Sequence, residues 1–282
     1  MIRDIFSELF KMCHQKKNFI PLAGYFLFLV LCYIAYNTSN SMLTGILSAL
    51  NPDRAKVAKY LDGFFFARIA LVPTFIVLMP IVMATLGGDC IAGEIQEGSL
   101  KLYMARPRSR TQIILTKFSA IYASGFIYSL FFSITGFLIG MLLRGLSPVQ
   151  VLLMPGSVFG STLAIMTLQE AIFRYCCATL YFSFSLMTLG TMALFFSTLF
   201  NRTSAGTLAV VTIYFVSYVA AALPFAGKIR PWLISEVMNN AFLFWMTPLP
   251  MGKLYSNLTV LAMYIAGFLL AAVVSFNYKD IR

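Results

Sequence analysis

The stretch Phe118–Leu143, FSAIYASGFIYSLFFSITGFLIGMLL, decides the fold. It runs for 26 residues without a charged side chain. About 20 consecutive apolar residues, wound as a helix, cross roughly 30 Å of hydrocarbon. Working outward, five more blocks of the same kind appear: Phe19–Tyr36, Phe64–Gly87, Cys176–Phe200, Ala205–Ala226 and Leu254–Phe276. Their apolar residues form continuous runs rather than amphipathic stripes. All 10 acidic residues lie outside the blocks. Arg68 is the only basic residue inside one, close enough to its end for the head group to reach the interface. Over the whole chain 60% of residues are hydrophobic and 11% charged, against about 25% charged in a soluble domain. The sequence therefore predicts an all-α integral membrane protein, one transmembrane domain over residues 1–282 with six spans.

Lys and Arg set the orientation. With the N-terminus inside, segments 1–18, 88–117, 201–204 and 277–282 hold 12 Lys and Arg, whereas the longer outside loops 37–63, 144–175 and 227–253 hold 8. That bias follows the positive-inside rule and puts both termini in the cytoplasm of a cell (inner or plasma) membrane protein. It also absorbs most of the net charge of +11, and no aromatic-interleaved basic face points to nucleic acid. The uncharged segment Val151–Leu168 is interrupted by Pro155, Gly156 and Gly160, which favours an interfacial or re-entrant stretch over a seventh span. No small-residue cleavage site follows Tyr36, so the first block reads as an uncleaved span. The five cysteines show no metal-ligand spacing and read as free thiols. Asn37-Thr38-Ser39 fits a glycosylation sequon of a kind that arises often by chance.

Residues 1–17 place Ile2, Ile5, Phe6, Leu9, Phe10 and Cys13 on one helical face and Arg3, Asp4, Glu8 and Lys11 on the other. This is an amphipathic interfacial helix, either a lever leading into the first span or a passive anchor. The last outside loop, 227–253, carries Trp232 and Trp245, expected as interfacial anchors, with a helix-compatible stretch at Ile234–Phe244. Pro73 and Pro80 are expected to kink the second span. Gly125, Gly136, Gly140, Gly190 and Gly206 are candidates for close helix contacts.

The longest inside loop, Asp89–Lys117, reads DCIAGEIQEGSLKLYMARPRSRTQIILTK. Glu94 and Glu97 are three apart and share a helical face. Gly98 suits a helix end that needs a left-handed residue, and Leu100, Leu102, Tyr103 and Met104 pack back toward the membrane. Arg106-Pro107-Arg108-Ser109-Arg110 is a charged turn before a helix that runs through Lys117 into the third span. Such a loop is either a docking surface for a cytoplasmic partner or a solvated connection.

This loop resembles the signature of the type-2 ABC export permeases at Gly93, Glu94, Glu97, Gly98, Ser99, Leu100, Arg106, Pro107, Ser109, Arg110 and Lys117. Ser99 stands where Thr is more usual, and Tyr103-Met104 replaces a leucine pair. The resemblance implies that residues 88–117 form the coupling element, with Glu94, Glu97, Gly98, Ser99, Leu100, Arg106, Pro107, Arg110 and Lys117 meeting or supporting a separate ABC ATPase. It implies a re-entrant helical loop at 227–253 capping the exit path. It also implies a second permease subunit, expected as a homodimer, since six spans make half of the usual transmembrane unit. ATP and Mg would belong to the ATPase, and this chain would need no cofactor of its own.

The rest of the chain agrees with that division of labour. No G-x-x-x-x-G-K-[ST] phosphate loop is present; Gly227-Lys228 is followed by Ile229. No block contains Asp, Glu or His, which argues against intramembrane catalysis and against an ion-coupled transporter. The alternatives to an ATP-driven permease are an ATP-independent transporter or channel, and a membrane anchor or assembly protein. The cargo is not encoded in any recognisable motif.

Overall fold

The protein is described by a computed structural model over residues 2–14, 19–50, 62–100, 109–147, 149–152, 164–246 and 248–279. Helix α1 (Ile2–His14) leads to α2 (Ile20–Leu50), then to α3 (Gly63–Pro73) and α4 (Met79–Gln96), joined through one π-helical turn at Thr74–Leu78. Next come α5 (Arg110–Arg144), a two-stranded hairpin of β1 (Val149–Leu152) and β2 (Ala164–Thr167), α6 (Leu168–Leu199) and α7 (Thr203–Ala222). Short 3-10 turns at Pro224–Lys228 and Arg230–Trp232, α8 (Ile234–Asn239) and a further 3-10 turn at Asn240–Trp245 lead to α9 (Met251–Tyr278).

Five segments among the described residues are long and apolar enough to cross a membrane: Thr74–Gln96, Arg110–Leu143, Leu168–Leu199, Thr203–Ala222 and Met251–Tyr278. The first expected span corresponds to α2, whose apolar part, Ile20–Ile34, is shorter. The helices outrun the apolar blocks. α2 continues to Leu50 through a region read as loop from residue 37, where no proline occurs until Pro52. α5 begins at Arg110, where Ser109 and Gln112 form a reciprocal capping box, and α6 begins at Leu168, capped by Thr167. A cap is set by a single hydroxyl, so apolar block length does not reveal it.

The segment 151–168 was expected as an interfacial or re-entrant stretch rather than a seventh span; at its two ends Val149 pairs with Thr167 and Leu152 with Ala164 in an antiparallel register. Residues 153–163 lie outside the described residues. The two prolines expected to kink the second span flank a π-helical turn. Pro73 ends α3, Pro80 opens α4, and the π-turn between them absorbs the misfit of two missing N–H donors.

The core is α4 packed against α6, with α5, α7 and α9 around them. α6 buries small and hydroxyl residues as well as Leu and Phe, including Ser183, Ser185, Thr188, Gly190, Thr191 and Ser197. Close approach explains this choice. A Cβ on Gly87 would lie 2.8 Å from the carbonyl oxygen of Gly190, and one on Gly190 would lie 2.8 Å from Ile121. Gly125 and Gly140 are equally crowded, whereas Gly206 has ordinary spacing of 3.5 Å or more around it. At the end of the bundle away from α1, Asp62 caps α3 through Phe65 N (3.1 Å) and accepts from Ser147 N (2.8 Å), tying α3 to the start of the hairpin.

Arg68 does not reach outward. It is 8% exposed, with its guanidinium 5.4 Å from the Trp245 ring centroid and 5.6 Å from that of Phe64. Trp245, expected as an interfacial anchor, is correspondingly 6% exposed, its ring taken up by this buried cation. Trp232, at 54%, is exposed.

Candidate functional site

Glu94 and Lys117 of the loop 88–117 and Glu8 and Lys11 of α1 converge at one end of the bundle. α4 continues past its apolar part to Gln96, which carries Glu94 beyond the last tight helix crossing. Glu97 caps that helix and Gly98 follows at φ 70°, a left-handed conformation that turns the chain back. The Ser109 cap fixes the start of α5 and so places Lys117 two turns in, facing α4. α1 lies against α5 and supplies Glu8 and Lys11. The Lys117 ammonium is 2.8 Å from Glu94 Oε1 and 3.5 Å from Glu8 Oε2, and Lys11 Nζ donates to the same Glu94 oxygen at 2.8 Å. Lys117 is fully buried, and Glu8 and Glu94 are each 5% exposed.

Two carboxylates and two ammoniums thus balance, which is the condition under which charges persist in an apolar interior. The cluster joins three separate elements, α1, α4 and α5. The Ser99 hydroxyl, just past Gly98, reaches the Glu94 carbonyl at 3.5 Å, and Leu100 is 1% exposed in the core.

A second set of contacts ties the same end to the last helix. The Arg110 guanidinium donates to the carbonyls of Phe276, Asn277 and Lys279, each at 2.9 Å, and so caps the C-terminus of α9. Lys279 in turn donates to the Thr198 carbonyl at 2.6 Å and caps α6. One residue earlier in α6, the Ser197 hydroxyl accepts from Ile91 N (3.1 Å) and Ala92 N (2.8 Å) and donates to Gly88 O (2.8 Å). That hydroxyl sits between an N–H and the carbonyl one turn before it, a wedge in α4 just before the cluster.

Residues 14–281 match the family described as ABC-2 family transporter protein. The chain belongs to that family. No curated relative matches it. The family assignment and the five apolar helices make it a multi-pass membrane permease.

The permease separates residues that the loop's pattern had grouped. Glu94 and Lys117 are partners in the buried cluster, whereas Glu97, three residues from Glu94, is exposed beside Gly98. Arg110 faces the end of α9 rather than standing free in a charged turn. Arg106 and Pro107 lie outside the described residues. Sequence reasoning missed Glu8 and Lys11, which it placed on the solvated side of α1. In the permease Glu8 is buried and Lys11 reaches Glu94, while Phe6 and Phe10 are 68% and 64% exposed. It also missed Ser197 and the cap made by Lys279. The signal available for Glu8 and Lys11 was their opposite charge to Lys117 and Glu94, but nothing local states the pairing across more than 80 residues.

Proposed function

We propose that this ABC-2 permease is the membrane-spanning half-unit of an ATP-driven exporter, working as a dimer with a separate ABC ATPase docked on the loop 88–117. In this reading α2 is the first of six spans, both termini are cytoplasmic, α1 lies at the inner interface, and residues 227–253 form a re-entrant cap on the exit side. ATP and Mg act on the ATPase. The observation that carries the reading is the division at the end of α4: Glu97 and Gly98 are presented outward, while Glu94 and Leu100 on either side of them are buried. A docking tip with an anchored root is what force transmission needs. A push on the tip loads α4 and α5 through Lys117, α1 through Glu8 and Lys11, and α9 through Arg110.

A photo-crosslinking side chain at position 97, compared with one at the exposed Ile213 of α7, tests the docking. In membranes of the native host, position 97 should yield an adduct with a P-loop ATPase and position 213 should not. An adduct from both positions, or from neither, contradicts the assignment.

A further inference from the structure

We propose that the groove between α6 and α9, at the end of the bundle where both helices terminate, binds an anionic phospholipid, its tail along the groove and its phosphate at Lys279. The groove measures about 620 Å³ and is lined by Phe195, Leu199, Leu270 and Val274 along its length, with Ser275, Tyr278 and Lys279 among its polar members. It is open at the side of a membrane-spanning bundle, where hydrocarbon chains are the medium, so an acyl chain is the occupant that its apolar lining fits.

The polar end sets the headgroup chemistry. Lys279 spends one ammonium donor on the Thr198 carbonyl, and an ammonium has three. Among the described residues no carboxylate pairs with it. Burial pushes its pKa below the ordinary lysine value, with no compensating negative charge facing it from the described part of α6 or α9. Arg110 already covers the nearest carbonyls of α9, so the cation is left for an external anion. The Ser275 and Tyr278 hydroxyls supply further donors at the same level. A phosphate at the end of an acyl chain meets both halves of this lining, whereas a zwitterionic headgroup brings its own cation to a site that already has one. Basic pockets between membrane helices hold acidic lipid headgroups for this reason. Such a lipid would brace the two helix ends that Arg110 and Lys279 join.

The test uses the full-length permease in mild detergent with dioleoyl-phosphatidylglycerol and dioleoyl-phosphatidylcholine as probes, read by native mass spectrometry and by thermal melting. The wild type should retain phosphatidylglycerol over phosphatidylcholine, and only phosphatidylglycerol should raise its melting temperature. One lysine near an acidic headgroup corresponds to about fivefold in affinity, so Lys279→Gln should lower retention by about that factor while Lys279→Arg keeps it. Val274→Trp, at an exposed groove position that leaves the Lys279 cap intact, should reduce retention of both lipids. Inorganic phosphate should produce no shift, since it lacks the tail. Equal retention of the two lipids by the wild type overturns the proposal. So does a phosphatidylglycerol preference that survives both Lys279→Gln and Val274→Trp.

Discussion

Among the described residues, Lys117 is the most deeply buried charge. It is fully buried and lies between Glu94 and Glu8, so truncating it takes the ammonium from Glu8 and leaves Glu94 to Lys11. Lys117→Ala should cost about 3–5 kcal/mol, measured as a lowered melting temperature of the purified permease. Lys117→Met combined with Glu94→Gln should recover most of that loss, because Glu8 and Lys11 then balance each other. A double variant as unstable as the single one would show that Lys117 acts through packing rather than charge. Ser197→Ala removes the hydroxyl that serves Ile91, Ala92 and Gly88, and should cost about 1–3 kcal/mol by the same assay. No loss would mean that α4 closes its own hydrogen-bond ladder without help.

Among the elements, α1 and α9 are the ones whose role changes once contacts are known. The three- and four-residue repeat of α1 gives an amphipathic helix from sequence alone, and Ile2–His14 is helical. The direction of its faces was not legible. An amphipathic pattern normally turns its charged side outward, but here Glu8 and Lys11 have partners in α4 and α5, and ion pairing between distant segments leaves no periodic trace. Removing residues 2–14 should therefore reduce transport far more than membrane insertion, read as transport rate against the amount of membrane-embedded protein. Equal losses would make α1 a plain anchor. The end of α9 is similar. Arg110→Gln removes a charged donor from three carbonyls and should lower stability by about 1.5–3 kcal/mol, with Arg110→Lys restoring part through its own charged donor.

For the whole molecule, the membrane architecture was readable because hydrocarbon thickness imposes a minimum length on apolar runs, and five of the six blocks correspond to helices that are long enough. What apolar runs conceal are the helix starts set by Ser109 and Thr167, the hairpin of β1 and β2, and the burial of Trp245 over Arg68. The loop 88–117 was recognisable as one unit from its pattern of Glu, Gly, Pro and Arg. Its split into an anchored root at Glu94 and an exposed tip at Glu97 required the geometry of the α4 terminus.

The central claim is that an ATPase on another polypeptide drives this permease through that loop. The most direct test is to purify the full chain in mild detergent from its native host and identify what accompanies it, for the wild type and for Glu97→Lys. The account predicts a P-loop ATPase at near one-to-one stoichiometry with the wild type, released by Glu97→Lys while the permease stays folded and membrane-inserted. A wild-type chain that emerges without an ATPase, or an ATPase equally retained by the variant, would contradict it.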